Sequence, residues 1–270
     1  MIKKQIVFFI FVSLFICGFN WNNTSITTWN NVTLSEYNNR NVSSTQATDY
    51  INDPNAVGIY YFENNGNDET ANGNTLTNNN SCTFETASPD PKQGTYSTFL
   101  QRSSDQSWSS TSTDFDVTGP FSFGGWVYPE ATSSETMRVG SKHGGSGSYG
   151  WALIRQDDPF LIEFGISSDG TAWDTTTAAS ASLPVNTWTH IVCVYDGSYK
   201  RIYVNGSEIS DGNFPASYSS GVNDTSANFI IGDQDYSTHR YWNGNLDEMF
   251  FFSRALSASE ISDIYNNGLE

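Results

Sequence analysis

Apolar residues fall in short runs along this chain, separated by stretches of Asn, Gly, Ser and Thr. Val57–Phe62, Phe121–Tyr128, Trp151–Ile154, Leu161–Ile166, Trp188–Tyr195, Arg201–Val204, Asn228–Gly232 and Leu246–Phe252 are of strand length. They are rich in aromatic and β-branched residues, which fit a pleated, half-buried surface. Turn residues punctuate them: Asp196-Gly197, Asn205-Gly206 and Pro129. No helical period is sustained between residues 56 and 252, so the pattern predicts an all-β domain.

One segment breaks that pattern. Ser257-Ala-Ser-Glu260 reads as a capping box, in which the Ser hydroxyl and the Glu carboxylate satisfy each other's free backbone N–H groups. Leu256 and Ile261 are spaced as a hydrophobic staple. Ile261, Ile264 and Tyr265 share a face, and Gly268 follows as a stop. One short C-terminal helix is expected.

Residues 1–18 carry Lys3 and Lys4 and then the apolar run Ile6–Ile16, the outline of a signal peptide. The run is too short to span a membrane, so a secreted or cell-surface protein with no membrane span after signal removal is expected. Residues 19–55 are rich in Asn, Thr and Ser. They read either as a linker or as an assembly arm that lends a strand to a neighbouring copy. The sandwich domain is expected over residues 56–270.

The order of motifs after Val57 resembles a known family. Gly58–Asp68 with Asn72-Gly-Asn74, Phe121–Pro129, Asn186–His190 through Tyr203–Gly206, Trp242–Glu248 and Arg254–Ile261 are similar to the laminin G-like branch of the concanavalin A-like lectin/glucanase superfamily. The resemblance implies a two-sheet antiparallel jelly-roll sandwich. It implies no activity, because the family includes sugar-binding, adhesion and accessory modules.

Charge and chemistry narrow the choice. A formal net charge of −17, from 12 basic and 29 acidic side chains, argues against nucleic acid, whose phosphates need clustered Lys and Arg. The superfamily's glycosidases are similar to one another in a Glu-x-Asp-x-x-Glu strand, and that spacing is absent from the sequence. Asp247 and Glu248 are adjacent, so on a strand they point to opposite faces and cannot flank one glycosidic bond. His143, His190 and His239 form no closely spaced metal pair. His190 reads as a satisfied strand histidine rather than a base, and no enzyme activity is expected.

The resemblance also implies a structural Ca²⁺ held by Asp68, Asn72, Asn74 and Asp247, since Ca²⁺ takes several oxygen ligands in irregular geometry. The plainer alternatives are that Asp68 is a turn residue and Asp247 a buried acceptor. Asp233 and Asp235 are a weaker pair. Trp126, Trp188 and Trp242 are assigned to packing. Trp173, Tyr149, Tyr236 and Tyr241 lie in polar stretches and are the candidate ligand-binding residues. Gly145–Gly150 matches Gly-x-Gly-x-x-Gly but precedes a strand, so it reads as a flexible loop. Export permits a Cys82–Cys193 disulfide, whereas the place of Cys193 inside an apolar run favours a buried thiol. The expectation is a non-catalytic module that binds glycan or a surface protein; the alternative is a structural subunit that self-assembles through residues 19–55.

Overall fold

The computed structural model describes residues 19–21, 24–26, 48–130, 136–157 and 160–269. The chain divides into two compact units, Met1–Asp49 and Tyr50–Glu270. In the first, β1 (Phe19–Trp21) and β2 (Thr24–Ile26) pair antiparallel. The expected signal peptide at 1–18 and most of the expected assembly arm at 19–55 lie outside the described residues.

The second unit is an all-β jelly-roll sandwich of two antiparallel sheets. One contains β4 (Thr77–Asn79), β7 (Ser107–Ser110), β9 (Met137–His143), β10 (Tyr149–Arg155), β11 (Leu161–Ile166), β12 (Thr175–Ser182) and β17 (Phe229–Ile231), in the order β12-β11-β10-β9-β17-β7-β4. The other contains β3 (Ala56–Tyr60), β5 (Thr83–Glu85), β6 (Ser97–Leu100), β8 (Phe121–Pro129), β13 (Thr189–Tyr195), β14 (Tyr199–Val204), β15 (Ser207–Glu208), β16 (Ala216–Ser217) and β18 (Gly244–Phe252). Its order is β15-β14-β13-β8-β18-β6-β5, with β16 beside β14 and β3 beside β18. The helix α1 (Ala258–Asn267) closes the chain.

Between the sheets the core is built of rings. Phe251 stacks on Phe121 at 5.7 Å and 6°, and meets Phe115, Trp151 and Phe229 at 5.5, 5.7 and 5.7 Å. Offset and edge-on contacts of this kind suit the ring quadrupole. On β18 the alternate residues Phe250 and Phe252 point the other way, into a second cluster with Val192, Val194, Ile261 and Ile264. That cluster packs α1 on the outer face of the larger sheet. A strand covered on both faces has no polar side, which explains the unbroken run Met249–Phe252.

The capping box is present: Ser257 Oγ accepts from Glu260 N, and Glu260 Oε2 accepts from Ser257 N at 2.7 Å. Tyr50, 1% exposed, joins the helix cluster and donates to Asp263 Oδ2 at 2.9 Å, and the compact unit runs from Tyr50 to Glu270.

Two expectations are corrected. Trp188 is only half-buried, precedes β13 and donates from Nε1 to the Asp90 carbonyl at 2.9 Å. His190 is fully buried, but neither ring nitrogen has a hydrogen-bond partner. It sits against Trp126, Tyr265 and Phe250, with centroids at 5.1, 5.8 and 6.3 Å, and burial holds its pKa down to about 3. A neutral imidazole is thus packed there as a ring. Cys82 and Cys193 are both buried free thiols.

Two outcomes follow from this core. Phe251→Ala removes the ring at the centre of the stack and should cost about 3–5 kcal/mol, read as the shift in urea unfolding; a loss below about 1 kcal/mol would show the stack is not central. Both thiols should react with a maleimide only after denaturation, and mass spectrometry should find no Cys82–Cys193 linkage.

Candidate functional site

The seven-stranded sheet turns Met137, Val139, Trp151 and Leu153 into the core. Its register pairs Ile154 with Arg138, Ala152 with Ser141 and Tyr149 with His143. A β-bulge at Val139, where Arg138 pairs with Ile154 but Gly140 with Leu153, shifts the alternation by one residue and leaves Arg138, Ser141 and His143 together on the outer face. The segment from Gly232 to Tyr241 is tied to that face. Ser141 Oγ donates to the Asp233 carbonyl at 2.9 Å, and Arg138 N to the Arg240 carbonyl at 2.8 Å. Gln234 Oε1 accepts from Arg138 Nε and lies 3.0 Å from His143 Nδ1.

Three aromatic side chains gather around His143. Tyr149 lies at 4.2 Å, Trp173 at 5.0 Å and Tyr236 at 6.0 Å between ring centroids, and Tyr149 meets Trp173 edge-on at 4.8 Å. Each arrives for a local reason. Gly145, at φ 86°, and Gly147, at φ 83°, shape the turn that joins β9 to β10 and brings Tyr149 opposite His143. A Cβ on Gly145 would sit 2.3 Å from the Tyr236 ring, so only glycine lets that ring settle there. The Trp173 loop is pinned at both ends: Tyr149 N donates to the Gly170 carbonyl at 3.1 Å, and Asp174 N to the Ile166 carbonyl at 3.0 Å. Tyr149 and Trp173 are half-buried, while Tyr236 is 41% exposed.

The structure thus brings together three of the four residues expected to meet a ligand, Tyr149, Trp173 and Tyr236. Tyr241 stacks instead on His239 at 4.7 Å and 12°. His239 Nδ1 in turn lies 2.7 Å from Asp233 Oδ2. His143, Gln234 and Arg138 were not anticipated at the site. The turn signal at Gly145–Gly150 placed His143 opposite Tyr149 in principle, but nothing local announced Gln234.

Burial pushes the His143 imidazole down to about 4, helped by the nearby Arg138 charge and opposed by the Gln234 hydrogen bond. The ring is neutral at ordinary pH. Burial also lowers Arg138, to about 10, against the attraction of Glu163, so it stays charged.

The expected Ca²⁺ ligands are occupied differently. Asp68 Oδ1 accepts from Ile59 N and Thr70 N at 3.2 and 2.9 Å, and Oδ2 from Thr70 Oγ1 and Asn74 N, both at 2.8 Å. The Asn72 and Asn74 side-chain amides donate to the Ala56 and Val57 carbonyls at 2.6 and 2.9 Å. Asp68, Asn72 and Asn74 form one brace between the loop and β3. Asp247 accepts from Lys92 N and Gln93 N at 2.7 and 3.2 Å, a separate set, and burial pushes it up to about 7. The four residues do not present the converging oxygens that Ca²⁺ takes. Among the described residues no group of three or more His, Cys, Asp or Glu side chains is placed to hold a metal. Asp233 and Asp235 are likewise committed, to Arg240 N at 2.6 Å and Asn228 N at 2.9 Å.

The laminin G-like family of the concanavalin A-like lectin/glucanases superfamily matches residues 101–262. No curated protein matches the chain. Among solved structures, domain 4 of an extracellular arabinanase from Geobacillus stearothermophilus, in complex with arabinotriose, is similar at 21% identity and a TM-score of 0.57, covering 78% of this chain and 98% of that one. The binding domain of Paraclostridial Mosquitocidal Protein 1 is similar at 15% identity, with a TM-score of 0.59 and coverage of 78% and 52%. A botulinum neurotoxin type C structure, described as dependent on two ganglioside molecules for cell entry, gives 13% identity, a TM-score of 0.58 and coverage of 79% and 50%. The chain spans about half the length of those two toxin chains.

The buried His143 has a consequence for acid stability. Its pKa is about 4 in the fold against 6.5 unperturbed, so the unfolded chain takes a proton that the folded chain refuses. Stability from this group is full above 6.5 and falls as pH drops towards about 4. His190 acts in the same direction, whereas Asp247, raised from 3.8 to about 7, acts in the opposite one. His143→Gln should flatten the acid loss over its own window by up to about 3 kcal/mol, seen in urea midpoints against pH. An unchanged slope would mean the ring is not buried neutral.

Proposed function

The chain belongs to the concanavalin A-like lectin/glucanases superfamily, and from that premise we propose that it is a secreted, non-catalytic module that binds glycan on the outer face of its seven-stranded sheet. The observation that carries this reading is the gathering of Tyr149, Trp173 and Tyr236 around His143. Sugars lay their C–H faces on aromatic rings and give their hydroxyls to a few fixed polar partners, and this surface offers both. Arabinotriose in the arabinanase domain and gangliosides for the neurotoxin are consistent with such a use of the fold.

One feature supports a binding role over hydrolysis. Glycosidases flank the scissile bond with two carboxylates. On this outer face Glu163 accepts from Gln156 Nε2 at 2.6 Å, and no second carboxylate of the expected strand spacing accompanies it in the sequence. The apolar run at the start of the chain supports export and a place of action outside the cell or at its surface. Among the described residues no helix is long and apolar enough to cross a membrane.

A glycan array on the whole protein should give hits. For the best of them, Trp173→Ala and Tyr236→Ala should each weaken binding roughly tenfold, as losing a central aromatic anchor does. Tyr241→Ala should leave it within about twofold. EDTA should leave binding unchanged, because the Asp68 and Asp247 oxygens are taken by N–H and O–H donors. No hit on the array, or full binding by both ring variants, would reject this function or this site.

A further inference from the structure

Gln234 decides which nitrogen of His143 carries the hydrogen. Arg138 Nε can only donate, so the Gln234 atom 3.0 Å from it is the oxygen Oε1. The other end of the amide agrees, because Nε2 donates to the Thr238 carbonyl, which can only accept. Both ends are fixed by partners that cannot exchange roles. His143 Nδ1 lies 3.0 Å from the same Oε1, so Nδ1 must be the donor. With the ring held neutral, Nε2 keeps its lone pair.

That nitrogen is buried and has no hydrogen-bond partner, in a side chain only 4% exposed. A buried acceptor left unmade is costly and calls for a donor. The rings around His143 are not equally exposed. Tyr149 and Trp173 are half-buried, whereas Tyr236, whose N–H donates to the Gln234 carbonyl at 2.9 Å, is 41% exposed. Tyr236 is the ring that can yield to an entering group.

We propose that His143 Nε2 is the specificity-determining acceptor of this site: it takes a hydroxyl of an uncharged sugar, which enters past Tyr236, and it refuses a sugar that presents a carboxylate there. The inference rests on the glycan-binding reading above and names its ligand class. A carboxylate oxygen would meet a lone pair rather than a proton. The positive charge nearby belongs to Arg138, whose Nε is given to Gln234 and which is attracted to Glu163. The net charge of −17 adds a long-range repulsion of anions, which salt screens.

The test combines two readouts on the whole protein near neutral pH. Imidazole ¹⁵N spectra, with His143 assigned by its loss in His143→Gln, report the tautomer with no ligand present. Titration with arabinotriose, cellotriose, galactotriose and trigalacturonate reports the preference. The expected result is an Nδ1–H ring, with an uncharged probe bound at least about tenfold more tightly than trigalacturonate. Binding should also move the Nε2 resonance. Gln234→Met should lose the fixed tautomer and weaken the uncharged probe. An Nε2–H or charged ring in the wild-type protein overturns the inference whatever the variants do, as does equal binding of trigalacturonate. An Nδ1–H ring with no probe bound rejects the glycan-binding reading itself, and this inference falls with it.

Discussion

The packing of rings around Phe251 is the contact on which the rest of the molecule depends. It joins β18 of one sheet to Trp151 and Phe229 of the other, and it sets the separation and rotation of the two layers. The strands on either side are positioned through the same residues. Phe121 and Phe123 belong to β8, which lies between β13 and β18. β8 can approach both neighbours so closely because of Gly124 and Gly125. A Cβ at Gly124 would lie 2.3 Å from the Ile191 carbonyl oxygen, and one at Gly125 2.7 Å from that of Glu248. The motif Phe-Ser-Phe-Gly-Gly-Trp is therefore a packing device: rings for the layer below, bare backbone for the strands beside.

Much of this architecture was legible from the chain. Leu161–Ile166, the β13–β14 hairpin and the capping box at Ser257 announce themselves through local chemistry: period-two apolar residues, Asp-Gly and Asn-Gly turns, and a Ser–Glu pair. β9 and β12 did not. β9 is buried along its length yet contains Arg138, Lys142 and His143, and such a strand shows no apolar alternation. β12 is Thr, Ala and Ser throughout. Both are strands because neighbours far away in sequence complete their ladders, a tertiary effect that overrides local propensity.

The site was legible in part for the same reason. Tyr149, Trp173 and Tyr236 stood out as rings in polar stretches. His143 and Gln234 meet across a sequence separation of 91 residues, a pairing that depends on β17 lying against β9. The acidic loop near Asp68 is ambiguous in sequence for a different physical reason. Residues that brace a loop through Asx-type hydrogen bonds are the same Asp and Asn residues that ligate Ca²⁺. In the fold the Asn72 and Asn74 amides donate to backbone carbonyls and the Asp68 oxygens accept from N–H and O–H groups, which is the bracing arrangement.

The two outer faces of the sandwich divide the available roles. On the nine-stranded sheet, Val192, Val194, Phe250 and Phe252 are taken up by α1 and by Tyr50. That surface is a second core. On the seven-stranded sheet the cover is a loop instead of a helix, and it is polar. Asp233, Gln234 and Arg240 reach Ser141, His143 and Arg138 by hydrogen bonds rather than by burying apolar area. A cover made of directional bonds fixes side-chain orientation, down to the hydrogen on one imidazole nitrogen, while leaving rings such as Tyr236 at the surface. Apolar packing alone could hold that face shut but could not aim an acceptor. The polar residues of β9, awkward for a buried strand, are the ones that this cover holds in place.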